Sequence, residues 1–565
     1  MKKFTLCSLA LANLLGFTQS YAYDIEDNNI FYNKISESEL TLAVTYKTPA
    51  PDDWSKPTGG YSGDVAIPST VTIDNVTWNV AEIGECAFAS STLTSLSLPS
   101  SIVKIGDNAF YKLGLGTVVI PEGVKTIGYQ AFNLSSVTSV TLPESLESLG
   151  SYAFTFCRQL VSVKIPANVK TIEAYTFNNC QAMTSVSLAE GINKIDRYAF
   201  NNCKVLTSVN LPSTLKEMGT NMFSGCAELD NVIIPEGITS LPNETFSGCT
   251  ALKKVTLPST LTAVGDKAFS RCTSLESLTL PANVVSTGTQ LFLSCTGLKS
   301  VSMPTALESM GRYTFEQCSA LESFTVPEKI IELPEGTFSE CTSLANVTLA
   351  QGTTTIKQYA FKMCSALKGI ELPETATTIE KYAFQRCSGL TSISLPKGMT
   401  EIPTYMMSGC SSLAEISIPD NVTTVASTAF GDCSALKKVT IGKGLKTLGG
   451  NTFYNCKAIE TVEAYPATAP AGSKNSFAES IFETAILKIP AGSADSYAAA
   501  EPWKNFVNVK GELSGISDIT TSTDPTVTVY NLQGVVVREN AAASEATTGL
   551  PAGVYIVNGR KVAVK

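Results

Sequence analysis

The sequence predicts a solenoid of short parallel strands and turns, about 17 coils of 22–23 residues, with a small C-terminal β domain. Three observations carry that prediction. Phenylalanine returns every 23 residues from Phe154 through Phe177, Phe200 and Phe223 to Phe453, with Met407 in the corner position once. A cysteine follows three residues after each of these corners, from Cys157, Cys180 and Cys203 to Cys456. Between corners the chain alternates polar and apolar residues and then meets a proline, as in Ser162-Val163-Lys164-Ile165-Pro166. A fixed short period over several hundred residues means that each coil buries its apolar face only by stacking on its neighbours.

Each position of the unit has a physical task. Alternation over Ser162–Ile165 is the signature of a strand with one buried face. The proline, seen at Pro99, Pro121, Pro143, Pro166, Pro212 and Pro235, lacks an N–H and stops the ladder at a fixed point. One strand per coil then builds a parallel sheet with right-handed crossovers. Val169 and Ile172 mark a return path of extended and 3₁₀ turns, and the phenylalanine fills the corner between coils. About six apolar side chains per coil, at roughly 1.5–3 kcal/mol each, barely offset ~1–2 kcal/mol per ordered residue, so a lone coil does not fold. The first corners, Phe88, Phe110 and Phe132, have a spacing of 22 and lack the cysteine. That ties the cysteine to a turn one residue longer, and shortening the turn is expected to remove its buried niche.

The fourteen thiols in register invite a chemical reading. A metal site needs ligands converging on one point, whereas this row is linear. Adjacent coils lie within disulfide reach, yet every thiol has two equivalent neighbours and a bridge would pull on a packed turn. The row therefore reads as free buried cysteine, a small apolar filler with a weak donor for turn carbonyls.

The pattern IGxxAFxxCxxLxxIxLP, as in Ile195 through Phe200, Cys203, Leu206, Val209, Leu211 and Pro212, resembles the BspA-like leucine-rich repeats, the leucine-rich repeat 5 family. The resemblance covers about residues 65–464. It implies a leucine-rich-repeat solenoid on a secreted or surface-exposed bacterial protein of Bacteroidetes type, with adhesion or host-protein binding proposed for some members. The family has no shared catalytic or ligand-binding residues, so the resemblance assigns no site.

The organisation that follows is a signal peptide over 1–22, an N-terminal cap over 23–64, the solenoid over 65–464, a C-terminal cap over 465–511, a linker over 512–526 and a β tail over 527–565. Met1-Lys2-Lys3, the apolar run Phe4 to Phe17 and Ser20-Tyr21-Ala22 form a secretory leader with cleavage near Ala22. Trp503 and Phe506 are available to cover the last coil. In the tail, Asn558-Gly559 between alternating apolar residues predicts a hairpin, and the segment resembles the C-terminal sorting tails of Bacteroidetes exported proteins. No stretch after the leader approaches the ~18 apolar residues that span a bilayer.

Composition narrows the function. A net charge of −9 with 16 % charged residues argues against nucleic acid as a partner. The chain has no histidine, which removes Ser-His-Asp and Cys-His pairs and histidine metal ligands together. No catalytic, cofactor or metal site is expected, and the chain reads as monomeric. Two rows remain. The outward strand positions, such as Ser162 and Lys164 or Ser185 and Ser187, form a small, hydroxyl-rich face that reads first as solvated sheet. Two residues before the corner stand Tyr152, Tyr175 and Tyr198 together, Tyr313 alone, and Tyr359, Tyr382 and Tyr405 together. Stacking between coils explains them; so does contact with a partner, since tyrosine offers area and a hydroxyl at low entropic cost. The leading reading is a non-enzymatic surface protein that binds a host protein or glycan through the solenoid. The alternatives are an architectural surface component and a carboxylate-based glycan-acting enzyme, for which Glu371, Glu415 and Glu463 sit on well-separated strands.

Overall fold

The computed structural model describes residues 23–47, 59–513 and, toward the C-terminus, 526–531, 535–542, 546, 549–551, 553–557 and 560–564. The expected signal peptide and most of the expected linker lie outside the described residues. The chain winds into a parallel β-solenoid of about 19 turns. Strand Ser162–Ile165 pairs in parallel with Ser185–Leu188, Val163 opposite Val186. Val163 and Ile165 are buried while Ser162 and Lys164 face solvent, and the turn after them closes with the Val169 N–H donating to the Pro166 carbonyl at 3.2 Å.

Most coils carry a second strand where turns were expected; the coil of Ser309 keeps only a single bridge to Ser286. Thr171–Ile172 pairs with Lys194–Ile195, which pairs with Glu217–Met218. The ladder continues on both sides of it: the Asn193 N–H donates to Lys170 O at 2.9 Å and the Asp196 N–H to Ile172 O at 2.8 Å. Two residues of alternation are too few to register as a strand in sequence; the bonds to the neighbouring coil create it. The turns beyond the phenylalanine corners lie at the ends. Ser62–Ala66 pairs with Thr92–Ser97 at the start. Past the last repeat, Thr461–Ala464 pairs with Ile486–Pro490, and that strand with Asn508–Leu513.

The corners are runs of tight turns joined across coils. The N–H groups of Tyr175, Phe177 and Asn179 donate to the carbonyls of Arg197, Ala199 and Asn201 in the next coil at 3.0, 2.8 and 2.8 Å. For all three to point the same way, Tyr175 and Asn179 adopt φ of 61° and 60°. A left-handed non-glycine residue costs roughly 1–2 kcal/mol, and the same two columns repeat it coil after coil, so the inter-coil bonds must return that cost. Between the columns the phenylalanine rings form an unbroken stack from Phe88 to Phe384, with centroids 4.7–5.8 Å apart and planes within 25°. Met407 interrupts it, and Phe430, Phe453 and Phe477 resume it. Tyr61 packs tilted against Phe88 at the N-terminal end, with centroids 4.8 Å apart. Trp503 and Phe506 meet Phe477 edge-on at 5.8 and 5.5 Å, and Trp503 Nε1 donates to Pro470 O at 2.7 Å.

All fifteen cysteines among the described residues are free and buried. Those of the row donate back by one coil: Cys157 to Phe132 O at 2.9 Å, Cys180 to Phe154 O at 3.2 Å and Cys203 to Phe177 O at 3.2 Å. The expectation that the niche vanishes in the short coils is corrected here. Ser91, Leu113 and Ser135 occupy the same position and are buried, and the Ser135 hydroxyl donates to Phe110 O as the thiols do. The missing residue lies after the niche, so turn length changes the path to the next apolar residue and leaves the niche in place.

The C-terminal region is a separate antiparallel sheet of Thr526–Asn531, Val536–Ala542, Gly553–Val557 and Arg560–Val564 with its own small core around Val529, Ala546 and Tyr555. Val557 stands opposite Arg560, the register of a two-residue hairpin connection; Asn558 and Gly559 themselves lie outside the described residues.

Candidate contact surface

The tyrosine row lies beside the corner because its position is the first of the two left-handed columns. All seven tyrosines have φ between 56° and 61°, and all are half-buried. Stacking follows from the coil spacing. Tyr152, Tyr175 and Tyr198 lie face to face with centroids 4.5 and 4.6 Å apart and planes within 9°. Tyr359, Tyr382 and Tyr405 do the same at 5.1 Å each. Inner ring faces are therefore occupied by neighbouring rings, and what each run offers outward is ring edges and hydroxyls.

Two features escaped the sequence. Tyr129, three rather than two residues before its corner, extends the first run by an edge contact to Tyr152 at 5.6 Å and is 44 % exposed. Its only signal was an aromatic one place off register in a short coil. Tyr313 is not isolated: its ring lies over Gly336, where a Cβ would stand 2.1 Å from it. Its hydroxyl donates to Glu335 Oε1 at 2.7 Å. Burial, then the Glu335 hydrogen bond and charge, push the Tyr313 phenol well above its ordinary range. Lys362 Nζ stands 5.6 Å from the Tyr359 ring.

The expectation that Glu371, Glu415 and Glu463 sit on well-separated strands is corrected: Glu371 lies outside any strand, and the strands of Glu415 and Glu463 have a single strand between them. Glu415 is opposite Lys438 on the adjacent strand, and Lys438–Ile441 stands between it and Glu463. Glu463 accepts from Lys488 at 2.9 Å and pairs with Lys438 at 3.0 Å. Partial burial opposes its ionisation, but these two ammonium groups hold the carboxyl below its usual range. Among the described residues no three acidic or cysteine side chains are grouped to hold a metal ion, and no helix is long and apolar enough to cross a membrane.

Clefts open on the solenoid surface. One of about 410 Å³ is lined by Glu308, Arg312, Lys329, Glu332, Glu335 and Lys357. Its charges pair internally, Lys329 with Glu308 at 2.7 Å, Lys357 with Glu332 at 2.8 Å and Arg312 with Glu335 at 3.4 Å. Another, of about 690 Å³, is bordered by Tyr405.

The description of the BspA type leucine rich repeat region matches in six copies, within residues 69–184, 170–299, 220–345, 262–388 and 332–460. Similar solved structures include a leucine-rich repeat protein from Bacteroides ovatus, 24 % identical over 78 % of this chain and 95 % of that one with a TM-score of 0.49. A leucine rich cell surface protein from Faecalibacterium prausnitzii is 24 % identical over 78 % of this chain and 93 % of its own, with a TM-score of 0.29. The pneumococcal vaccine antigen PcpA is 19 % identical over 86 % and 98 %, with a TM-score of 0.31. No curated protein matches the chain.

Proposed function

The chain belongs to the BspA-type leucine-rich repeat family, and on that premise we propose that it is an exported cell-surface protein that binds a host protein or a glycan through its solenoid. The tyrosine runs carry the reading. Tyr152–Tyr175–Tyr198 and Tyr359–Tyr382–Tyr405 are pre-stacked, so a partner that touches their edges pays little side-chain entropy to order them. The role is recognition rather than turnover, with the leader-like N-terminus directing export and the C-terminal sheet acting as the sorting or attachment module.

The test is an array of matrix proteins and glycans probed with the chain from Tyr23 onward, beside the triple variant Tyr359→Ala, Tyr382→Ala, Tyr405→Ala. Binding that falls at least tenfold in the folded variant supports the reading. Binding unchanged by the triple variant removes the tyrosines from it, and no binding on the whole array favours an architectural surface component.

A further inference from the structure

Tyr405 ends its run. Its one ring contact is with Tyr382 at 5.1 Å, and the next coil places Thr428 rather than an aromatic residue in the same column, so the second face of Tyr405 has no ring over it. This tyrosine borders the cleft of about 690 Å³, with Gln385, Arg386, Ser388, Ser411 and Asp432 also on its wall. A glycine lies at the floor of the cleft, in a column where Gly225 and Gly248 are the other glycines. The second left-handed column carries Met363, Arg386, Asp432 and Asn455 in the surrounding coils but Gly409 here, at φ +80°. A Cβ at Gly409 would stand 3.0 Å from Arg386 Cγ, so the absent side chain both opens the floor and lets the arginine stem lie across it.

Two polar side chains on this wall are unspent. The Arg386 guanidinium and the Gln385 amide make no hydrogen bond or ion pair among the described residues, in contrast to Arg312, Lys329 and Lys357 of the smaller cleft. Asp432, on the far side of Gly409, accepts from Asn455 Nδ2 at 3.0 Å. One free guanidinium, one uncovered aromatic face, Met363 and a rim of hydroxyls, amide and carboxylate line an open cleft of mixed polarity that encloses no deep apolar pocket. An acidic peptide would need an apolar pocket for its hot-spot side chain; a sugar needs a flat ring to lie on and polar groups at its edge.

We propose that the cleft between Arg386 and Asp432 binds the carboxylate-bearing sugar unit of an acidic glycan, with Arg386 on the carboxylate and the outer face of Tyr405 beneath the sugar ring. This rests on the binding role proposed above and names its ligand class. Arginine meets a carboxylate through two parallel N–H donors, Gln385 and Asp432 serve the ring hydroxyls, and the volume is that of a ligand site.

The test titrates the chain from Tyr23 with trigalacturonate, its methyl ester and sialyllactose by calorimetry. At least one acidic sugar should bind, and the ester at least tenfold more weakly than the acid. Arg386→Gln should weaken the acid on the order of 10–100-fold with Tm unchanged, Tyr405→Ala should weaken acid and ester alike, and Gly409→Asp, the residue that the next coil carries in this column, should abolish both by filling the floor. The proposal is overturned if neither acidic sugar binds, if Arg386→Gln binds as the parent does, or if a triglutamate peptide binds as tightly with the same dependence on Arg386. Array binding that survives Arg386→Gln while both acidic sugars fail overturns the cleft and leaves the surface-binding role standing. Trigalacturonate binding that depends on Arg386, with no matrix-protein partner for the parent on the array, supports the cleft and narrows the broader role to glycan binding.

Discussion

The thiol of Cys203 donates to the carbonyl oxygen of Phe177, one coil earlier, at 3.2 Å. The same oxygen accepts the Cys180 N–H of its own coil at 3.2 Å. One lone pair closes the local turn and the other takes the neighbouring coil, so the cysteine row stitches successive corners together.

Cys203→Ala loses that second bond and leaves a sulfur-sized void, and should cost about 1–2 kcal/mol. Cys203→Ser should cost less, because Ser135 already fills the same niche and donates to Phe110 O. Urea unfolding of the two variants checks the order; a serine variant less stable than the alanine variant would refute the stitching role.

Alkaline pH should unfold the protein steeply. Burial pushes the thiols of Cys203, Cys295 and Cys410 up to about 12, against about 8.5 in an unfolded chain. Below about pH 8.5 both states keep the proton and stability is full. Between there and about pH 12 only the unfolded state releases it, so each such thiol removes up to ~1.4 kcal/mol per pH unit. Circular dichroism against pH should show the alkaline midpoint rise in a Cys180→Ser, Cys203→Ser, Cys226→Ser variant. An unmoved midpoint counts against the thiols. At pH 8 the native row should also resist thiol reagents that modify the denatured chain.

Tyr175 tests the cost of the left-handed column. It lies between Tyr152 and Tyr198 at φ 61°. Tyr175→Ala loses two ring contacts and keeps a Cβ in a strained conformation, while Tyr175→Gly loses the contacts and relieves the strain. Glycine should therefore be the milder change by about 0.5–1 kcal/mol, the reverse of the order usual within strands and helices. Equal or opposite losses in urea midpoints would remove the strain argument.

Met407 is the one corner between Phe88 and Phe453 without a ring, and it is fully buried between Phe384 and Phe430. Met407→Phe should restore the stack and add about 0.5–1.5 kcal/mol, read as a higher Tm. A lower Tm would mean that this coil, with Met406 buried beside it, is packed for the thioether.

Gly336→Ala should do the opposite. Its φ of +62° disfavours a side chain, and the new Cβ would stand 2.1 Å from the Tyr313 ring, so Tyr313 must leave Glu335. A loss of at least about 1–2 kcal/mol, with a Tyr313 phenol that titrates nearer its ordinary range by absorbance, is the expected outcome. An unchanged stability would show that the ring moves freely.

Much of this molecule was legible in its sequence because the period of a solenoid is also its contact map. Phe154 meets Phe177, and Tyr152 meets Tyr175, simply because 23 residues make one coil, and burial of the cysteine row followed from its fixed distance to the corner. Other features depend on direction, which spacing does not carry. The second strand at Thr171–Ile172 exists through bonds to the coils on either side, and the buried niche of Ser135 survives a shortened turn because the deletion falls beyond it.

The sequence by itself determined the coil, the order of its residues and which of them are neighbours from one coil to the next. Only the tertiary structure decided what the surface offers: that the tyrosines turn their faces to one another, that Tyr313 leans over Gly336, and that Gly409 leaves Arg386 beside an open floor. The reason is steric. Coil spacing is fixed by the backbone ladder, but where a side chain points depends on the left-handed backbone beneath it and on the bulk of whatever occupies the same column one coil away.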